Sequence, residues 1–392
     1  MRLTRLALYR YRVPLVRSID MGPTTLETRD GLLLSATVAQ GSTHATGWGD
    51  IAPLPGFSDH SLDDALDAAR RWAAACAGCP VFPDATPPDG ATHFAPPRVI
   101  RTALPTMIGC AAPRLDALPG TVRFGIETAV LDAVARTVGA RLPDLLAEAP
   151  RRFVSLNALV DASLDALPEA AERVRDAGFR AVKLKVGRTS VDEDVARVRR
   201  VADAMPPGVA LRLDANRAWS MEQATRFATR LADVAFAYLE EPLRTPEALP
   251  EWHAATGCPF ALDETAREMT AADLFDAFPT ACAVVLKPAL LGVVATQTWA
   301  DEAATHGADV VLSSAYESGV GMRMVLALAA SIGTLEVPAG LDTYRRLQHD
   351  VLAARLPIEG ARVDLRGVFD PPSSVRCHRL NPVDDAVFEA LS

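Results

Sequence analysis

The 392-residue sequence predicts an α/β protein organised around a closed (β/α) barrel, with a β-rich segment ahead of it. Three observations carry that expectation. From about residue 150, short apolar runs alternate with helix-like segments, which is the pattern of parallel βαβ units. Six of these runs end in a polar residue, at Lys185, Asp214, Glu240, Asp263, Lys287 and Ser314, separated by 23 to 29 residues, each the length of one βα unit. An open doubly wound sheet would gather its chemistry at one switch point. Polar ends on six successive strands instead fit a barrel whose site collects at one face.

The elements follow in order. Leu3–Leu15, Leu32–Ala39 and Ala45–Ile51 alternate or run apolar and form a β-meander, with a flexible turn region at residues 18–25. The meander ends in Ala52-Pro-Leu-Pro-Gly-Phe-Ser58, a loop with two prolines and a glycine. Ser61-Leu-Asp-Asp opens a helix with an N-cap and acids in its first turn, continuing through Trp72 toward Gly78. Residues 80–98 are rich in Pro, Asp and Thr and suggest a long surface loop, before a helix over Arg123–Val138. The barrel strands are expected at Val154–Val160, Ala181–Val186, Ala210–Leu213, Ala237–Leu239, Phe260–Leu262, Ala283–Leu286 and Val310–Leu312. Asp192–Ala204, Met221–Ala232 and Thr296–His306 are among the helices between them.

Composition narrows the function. Apolar residues make up 49% of the chain and charged residues 23%, enough for a large core and too apolar for a disordered chain. A formal charge of −9 argues against nucleic acid or an anionic membrane as the main partner. No apolar run reaches the ~18–20 residues of a membrane span, and arginines interrupt the N-terminal stretch too often for a signal peptide. A cytoplasmic enzyme acting on a small molecule is the expectation. The six cysteines do not make a disulfide framework, and Cys76-Ala-Gly-Cys79 has no second pair to make a zinc site. Gly319-Val-Gly321 is too short for a dinucleotide fingerprint. Of the 40 basic residues only Lys183, Lys185 and Lys287 are lysine, the other 37 being arginine. A drift toward arginine fails where an amine must lose its proton, since guanidinium stays charged at any working pH.

Three strand ends carry acids: Asp214, Glu240-Glu241 and Asp263-Glu264. Buried acids on neighbouring strands repel one another unless a cation sits between them, and oxygen-only ligands favour Mg²⁺ over zinc. Adjacent strand residues face opposite ways, so one member of each acidic pair faces such an ion, and the sequence leaves open which. Lys183 and Lys185 share a strand face, where like charges lower each other's pKa and leave one amine free to act as a base. Lys287 faces them from across the barrel. A cation flanked by two opposed amines suits removal of a proton beside a carboxylate.

These residues resemble the enolase superfamily in its muconate-lactonizing-enzyme branch: Lys-x-Lys on the second strand, Asp, Glu and Asp on the third to fifth, lysine on the sixth. Within that branch, Gly47-Trp-Gly-Asp-Ile-Ala-Pro-Leu-Pro-Gly-Phe-Ser58, Arg212-Leu-Asp-Ala-Asn-Arg-Ala-Trp219, Leu239-Glu-Glu-Pro242 and Ser313-Ser-Ala-Tyr-Glu-Ser-Gly-Val-Gly321 are similar to the o-succinylbenzoate synthase family. The resemblance implies a modified (β/α)₇β barrel over residues 119–345. An α+β capping domain would come from residues 1–118, with residues 346–392 packing back on it. It implies that Asp214, Glu240 and Asp263 ligate Mg²⁺, with Mn²⁺ as a substitute. Lys185 would be the general base, Lys183 its tuning neighbour, and Lys287 the cation on the opposite face. Arg212, Asn216, Ser313 and Ser314 would contact a small carboxylate substrate. The cap loops at 18–24 and 53–58 would close over the site. The implied reaction is loss of water from 2-succinyl-6-hydroxy-2,4-cyclohexadiene-1-carboxylate, as in menaquinone synthesis. A racemase of N-acylamino acids or an epimerase of dipeptides uses the same lysines and stands as the alternative.

Overall fold

The computed structural model describes residues 1–21, 25–81, 114–160, 166–370, 374–377 and 380–389. Residues 22–24 of the first turn region and 82–98 of the long loop lie outside the described residues.

The N-terminal sheet is an antiparallel meander of β1 (Arg2–Asp20), β2 (Thr25–Gln40) and β3 (Thr43–Ile51). Helix α1 (Leu62–Cys76), whose Ser61 N-cap and Asp64 form a reciprocal capping box, packs against β1 and β2. A second helix, α2 (Gly120–Val138), begins one turn earlier than expected, after Pro119, and is buried from Phe124 to Ala135. Strand β3 lies directly on it. A Cβ on Gly47 would fall 2.1 Å from Ala133 N, and one on Gly49 would fall 1.7 Å from Gly125 O, so only glycine permits this approach.

The barrel begins with β4 (Phe153–Ser155) and β5 (Ala158–Val160). Then strands and helices alternate: α3 (Leu167–Asp176), β6 (Ala181–Lys185), α4 (Val191–Ala204), β7 (Ala210–Asp214), α5 (Met221–Arg230), β8 (Tyr238–Glu240), α6 (Leu249–Thr256), β9 (Phe260–Leu262), α7 (Ala271–Ala277), β10 (Ala283–Leu286), α8 (Val293–Thr305), β11 (Asp309–Leu312) and α9 (Gly319–Ile332). Side-chain N-caps at Ser190, Ser220 and Thr270 start α4, α5 and α7. Strands β5 to β11 pair in parallel, in sequence order. Residues 339–340 then close the ring. Ala339 N and O bond Ser155 O and Asn157 N on one side, while Gly340 N and O bond Leu312 O and Ser314 N on the other. Seven strand–helix units and this last extended segment make the (β/α)₇β barrel.

Along each strand alternate residues point inward. Tyr238, Ala261, Ala283, Val285 and Val311 fill the barrel floor as an apolar cluster of their own. The polar strand ends stand above them. The chain then returns through β12 (Arg362–Asp364), paired with β4, to β13 (Asn381–Glu389), which adds an edge strand beside β1 in the N-terminal sheet. Among the described cysteines, Cys79 is disulfide-bonded while Cys76, Cys258, Cys282 and Cys377 are free. One disulfide is thus present where the sequence suggested no framework. No helix among the described residues is long and apolar enough to cross a membrane.

Candidate active site

Strand register assembles the site. Lys185 pairs with Asp214 and Asp214 with Glu240, so these three stand in one row, above a row of Lys183, Arg212 and Tyr238. Glu240 pairs with Ala261, which places Asp263 one pleat further toward the C-terminal face. Lys287 and Ser313 directly follow the paired residues Leu286 and Leu312.

All three lysines of the chain meet the three acids there. Lys183 Nζ lies 2.7 and 2.8 Å from the two Glu240 carboxylate oxygens and 2.9 Å from Asp214 Oδ2. Lys185 Nζ is 2.7 Å from that same Oδ2 and donates to Asn216 Oδ1 at 2.5 Å. Lys287 donates to both Asp263 carboxylate oxygens. Asp214 and Glu240 are fully buried and Asp263 is 3% exposed.

The electrostatics follow from burial and proximity. Burial works against charge on Lys183, yet Asp214, Glu240 and Asp263 outweigh it and hold the ammonium well above its ordinary range. At Lys183 the outcome is therefore the reverse of the depression expected from a like charge, because three carboxylates surround it. Burial also works against ionisation of Asp214 and Asp263, but the lysines pull both carboxyls below the usual range. Glu240 goes the other way. Burial, with repulsion from Asp214 second, pushes it up to about 8.

The acidic pairs separate cleanly. Glu240 faces inward, whereas Glu241, at φ 42°, turns to accept Asp263 N at 3.0 Å, Thr265 N at 2.7 Å and Arg217 Nε at 3.1 Å. Glu264 accepts from Asn216 Nδ2 at 3.0 Å, so Asn216 bridges it to Lys185. Asn216 itself is exposed. Arg212 lies in the lower row, 5% exposed, with Nη1 donating to Pro338 O at 2.7 Å and Asn157 Oδ1 at 3.3 Å. What the structure shows for it is a contact inside the barrel that anchors the closing segment. Ser313 Oγ bonds Gly340 O at 3.3 Å, and Ser314 Oγ lies 3.1 Å from Gly340 O and 2.6 Å from Thr343 Oγ1. The 53–58 loop reaches the mouth. Its Phe57 ring lies 5.6 Å from Lys287 Nζ, and Arg267 Nη1 holds Phe57 O at 2.6 Å. Arg267 had no sequence signal, whereas Phe57 lies within the 47–58 motif and Glu264 belonged to the acidic pair left open with Asp263.

The acids suit a hard divalent cation. Among the described residues no three acidic, histidine or cysteine side chains are already gathered about one point, and lysine nitrogens stand between the acids instead. Lys183 Nζ marks a cation position reached by both Asp214 and Glu240. Asp214 Oδ2 is buried and shared between two ammonium groups, and burial together with repulsion from Asp214 raises the Glu240 carboxyl, so the acids favour positive charge placed among them. Oxygen-only donors on adjoining strands complete the fit.

Comparison with known proteins establishes the fold and the family. The model described as "Enolase C-terminal domain-like" matches residues 166–368, and "MenC, N-terminal domain" matches residues 3–83. An o-succinylbenzoate synthase of Yersinia pestis (strain Pestoides F) is 32% identical over 350 residues, covering 88% of this chain and 92% of that protein. One from Pectobacterium atrosepticum is 31% identical over 354 residues, covering 89% and 93%. Among solved structures, a dipeptide epimerase from Enterococcus faecalis V583, complexed with Mg and the dipeptide L-Leu-L-Tyr, matches with TM-score 0.76 at 20% identity, over 93% of this chain and 97% of that one. Muconate lactonizing enzyme from Pseudomonas fluorescens, complexed with muconolactone, matches with TM-score 0.76 at 20% identity, over 96% and 98%.

Proposed function

We propose that this chain, which belongs to the enolase superfamily in its muconate-lactonizing-enzyme branch and is a lyase, is an o-succinylbenzoate synthase. It would remove water from 2-succinyl-6-hydroxy-2,4-cyclohexadiene-1-carboxylate, the step that serves menaquinone synthesis. The convergence of the chain's only three lysines on Asp214, Glu240 and Asp263 in one barrel mouth supports proton abstraction beside a carboxylate. The observation that favours the synthase over a racemase is the 32% identity over 350 residues to an o-succinylbenzoate synthase.

Asp214, Glu240 and Asp263 would hold Mg²⁺, with Mn²⁺ as a substitute. When bound, the ion supplies positive charge at the substrate carboxylate, which acidifies the adjoining C–H. Lys185 takes that proton at Nζ, oriented by Asn216 Oδ1, and returns it to the departing hydroxyl on the same face, so that water leaves and the ring becomes aromatic. Lys183 stays charged between the acids and adds field without taking the proton. Lys287 faces the ring from the other side and stabilises developing negative charge. Phe57 covers Lys287 from the cap and excludes water. Ser313 and Ser314, which follow β11 at the same face of the barrel, would contact the substrate.

Purified protein tests this directly. With the cyclohexadiene substrate and Mg²⁺, diene absorbance should be lost. A panel of N-succinyl amino acids in deuterated water should exchange its α-protons more slowly. Rapid α-exchange with no loss of diene absorbance would replace the lyase by the racemase.

A further inference from the structure

Arg29 on β2 is 2% exposed, and its hydrogen bonds go to backbone carbonyls rather than to any carboxylate. Nη1 donates to Pro53 O at 2.6 Å and Nη2 to Ala52 O, which gathers the root of the loop that carries Phe57. Nε donates across to Tyr316 O at 3.1 Å, in the segment that follows Ser313 and Ser314. Tyr316 sits at φ 63°, a backbone region that L-residues occupy only when their surroundings impose it. A second tie runs beside the first. Asp50, at the end of β3, accepts Ser318 N at 2.8 Å and Ser318 Oγ at 2.7 Å, and also Tyr11 OH at 2.8 Å. Asp50 and Glu317 are buried nearby, where burial raises both carboxyls, Glu317 to about 7, and the Arg29 guanidinium opposes that rise.

We propose that Arg29 is a positioning residue that couples the two walls of the site mouth, setting the 52–58 cap loop against the 313–318 barrel segment and thereby fixing the width of the substrate slot. A planar guanidinium suits this work, because three nitrogens in a rigid fork address three carbonyls at once. Lysine, with one compact ammonium, cannot reach both walls. The ties lie outside the acid and lysine cluster, so losing them leaves the reacting groups in place while the slot loosens. This inference rests on the synthase reading for its kinetic test, and on hydrogen exchange for a test that needs no substrate.

The variants are Arg29→Met, Arg29→Lys and Ser318→Ala, with Phe275→Leu as a control that weakens the α7 packing and touches neither wall. In Arg29→Met and Arg29→Lys, KM for the diene should rise about tenfold or more while kcat changes less than about threefold, the signature of lost binding rather than lost chemistry. Ser318→Ala should move KM the same way by a smaller factor, and Phe275→Leu should lower the melting temperature without raising KM. In hydrogen exchange, peptides spanning 52–58 and 313–318 should lose protection together in the arginine variants while 32–40 keeps its own. Should Arg29→Met fail to fold, Arg29→Lys and Ser318→Ala decide by the same readouts. Unchanged KM, kcat falling with the folded fraction, or protection lost from one wall alone or across the whole cap would overturn the proposal. Wild-type protein that leaves the diene untouched would instead remove the synthase reading, and the exchange data would still judge Arg29.

Discussion

Replacing Lys185 by arginine isolates basicity from charge. Its Nζ contacts Asp214 Oδ2 at 2.7 Å and Asn216 Oδ1 at 2.5 Å, and a guanidinium can keep an ion pair with Asp214. The side chain is 24% exposed, leaving room for the larger head. The fold should therefore survive, with a melting temperature close to that of the parent. Chemistry should not survive, since guanidinium does not release its proton at working pH. No neighbour can stand in: Lys183 is pinned 2.7 to 2.9 Å from Glu240 and Asp214 and held charged, and Lys287 is committed to Asp263 on the far side. A positioned general base contributes about 10²–10⁴ in rate, which is roughly 3–5 kcal/mol of barrier. The assay is kcat from loss of diene absorbance, alongside circular dichroism on the same sample. A folded Lys185→Arg protein within tenfold of the parent would refute the assignment of Lys185 as the base.

The remaining predictions concern the acids. Chelation should abolish turnover and Mg²⁺ or Mn²⁺ should restore it, and added Mg²⁺ should raise the melting temperature by binding only the folded site; full activity in chelator would exclude the three-acid ion site. Glu127, buried between α2 and the start of α8, is pushed up to about 7 by burial from an ordinary 4.5. Its stability contribution is complete below the ordinary value and is lost as pH rises through the folded one. Glu127→Gln keeps an acceptor for Val293 N and should flatten that decline, gaining up to ~3 kcal/mol above pH 7. Urea titrations at pH 5 and pH 8 measure it, and an equal change at both pH values would contradict the cause.

Much of the barrel was legible because parallel strands buried on both faces are short apolar runs and three of the helices between them begin with a side-chain cap. Ser190, Ser220 and Thr270 are such signals, and the strand ends from Lys185 to Leu312 fall within a residue or two of expectation. The closing segment Ala339–Gly340 was not legible. Two residues after a proline have no periodicity, and they are extended only because Ser155, Asn157, Leu312 and Ser314 bond them from both sides. Strand β1 runs on to Asp20 beyond the expected Leu15, after a register irregularity between Pro14 and Ile19 that no local preference specifies. At the site, the acidic pairs were ambiguous for the same reason. Period-two alternation gives the choice without the direction, and it is Glu241, at positive φ and accepting two backbone amides of the following turn, that turns Glu240 inward. Arg29 was invisible for a related reason, since a charged residue in a meander strand suggests a solvated face until a carbonyl cage is seen around it.

The scarcity of lysine pointed to the site, yet the structure separates two reasons for keeping it. On the proposed mechanism the amine at position 185 must be able to lose a proton, which arginine cannot do. At position 183 that reason fails, because Asp214, Glu240 and Asp263 hold the ammonium charged. What a guanidinium lacks there is compactness. One nitrogen sits within 2.9 Å of both Asp214 and Glu240 in a row of strand ends that are themselves fully buried, and a planar fork three atoms wide would force those acids apart. The same crowding that would exclude arginine brings Asp214 and Glu240 to one cation, the Lys183 ammonium, so size accounts for that lysine where the proposed base role would account for Lys185.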